Sequence, residues 1–235
     1  MASTPIPTNA PSTPFPTNAP TPFDGVMAEH DGSFGAPRCA TTGKQCSSGL
    51  LLDGRATMGP EPNSAANTID GCADGSSGTY HSDESNDKIV VSSINGQPLQ
   101  AGGIAKVEAT VYAWSTGSAD TADFYHTEDT NSINWIHIGS VSPGGGGAQT
   151  VTSPEFTLSN KSDQAVRVRF RYDGAEGPCS NGNYDDTDDL VFAVVVPTTS
   201  NPTKQPTPQV SSTETSMERE NYDIVSSFTL VLTKS

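Results

Sequence analysis

The sequence predicts an all-β fold, a jelly-roll-like β-sandwich of about seven or eight antiparallel strands flanked by disordered Pro/Thr-rich linkers. Three observations indicate this class. Apolar and polar residues alternate with a period of two in short segments, and helical periodicity is hard to find. Turn-forming residues separate these segments at the short intervals typical of sandwiches. The chain has 22 Gly and 18 Pro but only 17% charged residues, which argues against a helical bundle.

Pro-rich linkers are predicted on both sides of one folded domain. Residues 1–34 contain a nine-residue repeat, STPIPTNAP followed by STPFPTNAP, whose prolines remove backbone donors and favour extended chain. A second linker and tail, rich in Pro, Ser and Thr, covers 198–235, which leaves 35–197 for the sandwich. The first residues lack the basic and apolar regions of a signal peptide, so we expect this chain to be a fragment of a longer secreted protein.

Seven segments of the domain have strand-like patterns. The clearest is 164–172, where apolar residues expected to face the core alternate with Arg167, Arg169 and Arg171. The arginines are expected to pair with acids on neighbouring strands, or alternatively to bind an anion. The seven predicted strands are 87–93, 104–115, 122–127, 133–141, 149–158, 164–172 and 189–196.

The net charge is −15, and 23 acidic against 9 basic residues fall within 24–196. Such a charge repels phosphate backbones and anionic lipid, so nucleic acid and membrane surfaces are excluded as expected partners. No run of 18 apolar residues is present, so the sequence encodes no transmembrane helix. The repulsion strains a compact domain unless a bound cation or solvation in a salty medium offsets it.

Four cysteines indicate the compartment. An even number in a module of secreted style favours two disulfides. Cys39 and Cys46 enclose a short loop and are expected to pair locally, which leaves Cys72 for Cys179. Their spacing does not fit structural zinc. The glycosylation motif that begins at Asn160 agrees with export, and we expect the protein to be extracellular or in a cell wall.

Two acidic runs predict a calcium site. They are HSDESNDKIVV at 81–91 and NYDDTDDLVFAV at 183–194, just before the first and last predicted strands. Calcium takes six to eight oxygen ligands with flexible geometry, which clustered carboxylates supply. The alternative is two solvated acidic turns. The predicted ligands are Asp83, Glu84, Asp87, Asp185, Asp186, Asp188 and Asp189.

No catalytic motif of the HExxH, G-x-S-x-G or Walker A type is present, so we predict no enzymatic activity for this chain. The aromatic residues are the remaining candidates for ligand binding. Tyr112, Trp114 and Trp135 are predicted to form a platform on which a sugar stacks, with core packing as the alternative.

Several segments together resemble an accessory β-sandwich of large secreted hydrolases, the region that follows the catalytic domain of extracellular subtilisin-like or metalloproteases. They are CATTGKQCSSGLLLDGR, DGCADGSSGTYHSDESNDKIVV, QAVRVRFRYDG and CSNGNYDDTDDLVFAV. The resemblance implies a calcium-stabilised module that binds an extracellular polysaccharide or protein, or supports an adjacent catalytic domain. The alternatives are a fragment of a secreted protease and an adhesion protein of a cell wall or matrix.

Overall fold

The computed structural model describes residues 23–54, 67–179 and 181–197, and in these residues the fold is all-β. The predicted tail 198–235 and most of the predicted linker 1–34 lie outside the described residues. No helix in the described part of the chain is long and apolar enough to cross a membrane.

Twelve strands in the described residues form two sheets. The first sheet contains, in order, β1 (Val26–Met27), β4 (Gln45–Ser47), β5 (Ser85–Ser93), β6 (Ile104–Ala113) and β10 (Phe156–Thr157), and β9 (Gly147–Thr152) also pairs with β6. The second sheet contains, in order, β2 (Glu29–Asp31), β3 (Ala36–Cys39), β12 (Asp186–Ala193), β11 (Asp163–Tyr172), β7 (Asp120–Thr127) and β8 (Ile136–Val141).

The predicted all-β class is confirmed, with three differences in detail. All seven predicted segments contain strands, and 149–158 is divided into β9 and β10. The four N-terminal strands were missed because each has only two to four residues, too few to show a period. The sheets are mixed rather than purely antiparallel, because β1 pairs with β4, and β3 with β12, in parallel.

One apolar core lies between the sheets. Val107, Ala109 and Val111 of β6 alternate with partly exposed residues and are fully buried. From the second sheet, Val168 and Phe170 of β11 pack into the same core. The disulfide Cys39–Cys46 connects β3 of one sheet to β4 of the other.

The outer face of the second sheet is also buried, because loops cover it. The side chains of Arg167 and Arg169 are 1% and 0% exposed. Arg169 Nη1 donates to the carbonyls of Ala175 and Gly177, and Arg167 Nη1 donates to the carbonyl of Pro178. The expected pairing of the arginines with acids is confirmed, with ion pairs to Asp70, Asp123, Asp185 and Asp189.

The second disulfide, Cys72–Cys179, joins two of the segments that cover this face. Both pairs are those the sequence favours, and the described cysteines include no free thiol. Two disulfides indicate an oxidising, extracellular type of environment. Asn160, in the turn before β11, is exposed.

Candidate metal centre

The two acidic runs meet at one end of the sandwich, where β5 and β12 begin. Asp186 and Asp188 of β12 lie opposite Phe170 and Val168 of β11. Residues paired in this way project to the same face of a sheet, and Phe170 and Val168 are core residues. Asp186 and Asp188 therefore point between the sheets, and each is only 1% exposed.

Asn86 of β5 faces these two carboxylates from the first sheet. It pairs with the core residue Val111 and is fully buried. Its backbone N–H donates to Asp186 Oδ2 at 2.6 Å, and its side-chain Nδ2 donates to Asp188 Oδ2 at 3.0 Å. Asn86 Oδ1 is buried and has no hydrogen-bond partner among the residues that the structure describes. Two carboxylates and an amide that still has an unused oxygen thus lie together between the sheets.

A second pair of buried acids, Glu84 and Asp120, lies at the same end. Asp120 opens β7, and its Oδ2 accepts a hydrogen bond of 2.8 Å from the backbone N–H of Trp114. Burial, together with the charge of Asp120, raises the pKa of Glu84 to about 7. Burial also raises the pKa of Asp120, whereas hydrogen bonding with Glu84 lowers it. Two carboxyl groups this close are stable only when a proton or a cation lies with them.

Asp185 and Asp189 are turned away from this interior group. Asp189 accepts hydrogen bonds from Arg167 Nε at 2.7 Å and from the Ile69 N–H at 2.7 Å, and Asp185 Oδ2 is 2.7 Å from Arg169 Nη2. Burial raises the pKa of Asp189, and the hydrogen bond from Arg167 opposes that shift. These two predicted ligands neutralise arginines on the outer face of the second sheet.

Asp87 belongs to a third group, with Asp53 and His81. One ligand atom from each lies within 4.8 Å of the others, the one such set of acidic, histidine or cysteine side chains in the described residues. Asp87 Oδ2 is 2.9 Å from His81 Nε2, Asp87 Oδ1 accepts from Ser85 Oγ, and Asp53 accepts from the Tyr80 hydroxyl. Hydrogen bonds within the protein account for these contacts, although a mixed nitrogen and oxygen set also suits a metal ion.

A pocket of about 330 Å³ opens beside the interior acids. It is lined by Asp83, Glu84, Trp114, Tyr172 and Tyr184. Asp83 Oδ2 accepts a hydrogen bond from the Thr79 N–H near the surface. The pocket therefore reaches Glu84, one of the buried carboxylates.

The three predicted ligand-binding aromatics lie in different surroundings. Tyr112 stacks on His81 with ring centroids 4.7 Å apart. Trp114 lines the pocket. The Arg167 guanidinium carbon lies 4.2 Å from the ring centroid of Trp135, whose indole N–H donates to Asp70. Each aromatic therefore has its own partners, and Trp114 is the one beside the acidic pocket.

The seven predicted metal ligands are thus divided by the fold. Glu84, Asp186 and Asp188 are buried; Asn86 hydrogen-bonds Asp186 and Asp188, and Asp120 hydrogen-bonds Glu84. Asn86 belongs to the first acidic run but was not among the predicted ligands, and Asp120 was overlooked. The pattern contained a signal for Asp120, since it continues the apolar face of β7 formed by Ala122 and Phe124. Comparison of the chain with known proteins gives no matching family and no curated relative.

Proposed function

We propose that the protein is a non-catalytic, calcium-binding β-sandwich module of an extracellular protein, in which the ion connects the start of β5 to the start of β12. The observation that carries the proposal is the interior group of Asn86, Asp186 and Asp188, with a buried amide oxygen between the sheets to which no described residue donates. Glu84 and Asp120 add carboxylates at the same end.

Electrostatics favours a cation at this place. Moving a carboxylate from water into a protein interior costs several kcal/mol even after relaxation, so an acidic interior requires protons or positive charge. Arg167, Arg169 and Arg171 lie on the opposite face of the second sheet, where each has its own acidic partner. A bound cation offsets the charge between the sheets and part of the net charge of −15.

The donor set favours calcium over other ions. The interior group offers only oxygen, from carboxylates and one amide, and calcium accepts such ligands in variable number and geometry. Magnesium requires a near-ideal octahedron and usually keeps several waters, which suits a closed interior less well. The group of Asp53, His81 and Asp87 includes a nitrogen, so it is the rival location and would favour a transition metal.

Thermal unfolding in calcium and in chelator tests the proposal. A ligand that binds only the folded state, present at about 100 times its dissociation constant, stabilises by about 2.7 kcal/mol. At about 2–4 °C per kcal/mol, we expect calcium to raise the Tm by about 5–10 °C. The Asp188→Asn variant should lose this increase yet keep at least the wild-type Tm in chelator, because a neutral amide is cheaper to bury than a carboxylate.

Neighbouring residues provide matched controls. Asp189→Asn removes a charge one position away but on the arginine face, so it should lower the Tm in both conditions and retain the calcium shift. Asp53→Asn should also retain the shift, because Asp53 belongs to the rival group. A wild-type Tm that is unchanged by calcium, or a shift removed by Asp53→Asn and kept by Asp188→Asn, contradicts the interior site.

The extracellular assignment has support from the two disulfides and the exposed Asn160. A module of this kind binds an extracellular polysaccharide or protein, or supports a neighbouring domain. Secretion in a eukaryotic host tests the compartment. We expect a glycan at Asn160, detected as a mass shift that Asn160→Gln removes, and intracellular retention of the chain fused to a signal peptide would contradict the assignment.

A further inference from the structure

The pocket beside the metal centre has aromatic walls that meet at steep angles. The rings of Trp114 and Tyr172 are 5.7 Å apart between centroids with an interplanar angle of 86°. Tyr172 and Tyr184 are 5.9 Å apart at 72°. Flat platforms for sugar stacking require rings that present their faces in one plane. Here successive rings are nearly perpendicular, which forms a corner that can contact a compact group from more than one side.

The charge of the pocket is negative. Asp83 and the buried Glu84 contribute carboxyl groups to its lining, and Asp120 is hydrogen-bonded to Glu84. Within the described part of the chain, no lysine or arginine lines this pocket. The faces of aromatic rings attract cations through their quadrupole within about 6 Å of the ring centroid, and carboxylates add to that attraction. Rings and acids therefore favour the same kind of occupant.

We propose that this pocket binds an alkylated ammonium group, such as the trimethylammonium head of a small molecule or of a methylated lysine side chain. Methyl groups spread the positive charge over an apolar surface that matches the aromatic corner, whereas a strongly hydrated cation gains less from ring faces. The volume of about 330 Å³ is at the lower end of the range for small-molecule sites and is ample for such a head group. The pocket shares Glu84 with the proposed calcium site, whereas its rings and Asp83 are separate from the interior group, so the binding test is made both in calcium and in chelator.

Proton NMR of the ligand tests the inference with the full chain. Choline and Nα-acetyl-trimethyllysine amide are titrated with protein, in calcium and in chelator, and the N-methyl signal is followed. The NMR signals of methyl groups over ring faces move upfield. We therefore expect an upfield shift of the N-methyl signal that saturates as protein is added. The neutral isostere 3,3-dimethylbutan-1-ol, which has the shape of choline without its charge, should bind at least fivefold more weakly. A preference for choline or for the lysine derivative distinguishes the two sources of the head group.

Variants assign the shift to the pocket. Trp114→Leu should abolish it and Trp114→Phe should retain part of it, and because Trp114 is 45% exposed both variants are expected to fold. Asp83→Asn should weaken the binding of choline but not that of the neutral isostere. Trp135→Phe, outside the pocket, should change the binding of neither compound. Four outcomes would each overturn the proposal. They are equal binding of choline and its isostere, a shift that survives Trp114→Leu, preferential binding of neutral oligosaccharides, and no binding in either buffer. The calcium result in thermal unfolding is independent of all four.

Discussion

Removal of Arg167 should cause one of the largest losses of stability available in this domain. Its side chain is 1% exposed and that of Asp189 is fully buried, with Nε and Nη2 donating to the two carboxylate oxygens at 2.7 and 2.9 Å. Breaking a buried ion pair from one side costs about 3–5 kcal/mol, because the remaining charge is uncompensated. Arg167 Nη1 also holds the Pro178 carbonyl, so the covering loop loses a contact as well.

The perturbation is Arg167→Met, measured by equilibrium urea unfolding and by the Tm. We expect the free energy of unfolding to fall by about 3–5 kcal/mol, and the Tm to fall by about 6–20 °C at about 2–4 °C per kcal/mol. The matched control is Arg38→Met, which removes ion pairs to Asp31 and Asp163 whose side chains are about a quarter exposed. Solvent screening limits that loss to about 1 kcal/mol or less.

A second variant separates the effect of the uncompensated buried charge on stability from the effect of the lost side-chain volume. Asp189→Asn in the Arg167→Met background removes the uncompensated charge but keeps an oxygen that can accept from the Ile69 N–H. We expect this double variant to recover at least half of the lost stability, because removing both charges of a buried pair is often close to neutral. If Arg167→Met costs no more than Arg38→Met, or if Asp189→Asn recovers nothing, the reasoning from buried charge is refuted.

Three further outcomes are expected. Loss of the Cys72–Cys179 disulfide by double Ser substitution should lower the free energy of unfolding by about 2–5 kcal/mol. This loss should exceed that for Cys39–Cys46, because the Cys72–Cys179 loop spans 107 residues. Equal losses in urea unfolding would contradict this expectation. His126 is buried, and burial lowers its pKa, so the unfolded state binds the proton more readily. The free energy of unfolding therefore falls as the pH decreases below about 6.5. His126→Leu should reduce the difference in free energy of unfolding between pH 7.5 and pH 5 by up to about 2 kcal/mol. Gly75→Ala should lower the Tm by several degrees, because a Cβ there would clash with the Asn183 carbonyl, and an unchanged Tm would show that the loop is free to move.

The strands were predictable where the chain is long enough to show a period. Segment 164–172 predicts β11 to within one residue, and the paired arginines on its outer face were expected from the same alternation. The short strands β1 to β4 were not predictable from pattern. Two to four residues carry no period, and their pairing depends on the sheet edges and on the Cys39–Cys46 disulfide.

The candidate site was predicted in composition but not in arrangement. Spacing alone put seven acids into one ion site, whereas the fold divides them among four surroundings: the interior, the arginine face, the group with Asp53 and His81, and the surface near Thr79. The strand β12 could have been read more closely. Asp186 and Asp188 continue the face of Leu190 and Phe192, so alternation places two carboxylates in the core, and acids at core positions mark a site more strongly than acids in a turn. No local pattern shows that Asn86 of the first sheet would face them.

Two kinds of charge compensation occur at adjacent positions around the start of β12. Asp185 and Asp189 meet arginines of the same sheet and its loops, cations that are covalently part of the chain and therefore always present. Asp186 and Asp188, each adjacent to one of them, face the interior, where Asn86 supplies two N–H donors and an unused oxygen. A slip of one residue in register would turn Asp186 and Asp188 toward the arginine face and Asp185 and Asp189 toward the interior. Strand register and charge placement thus specify each other. On the proposed function, half of that compensation is exchangeable with the solvent, so the stability of the module follows the calcium concentration around it.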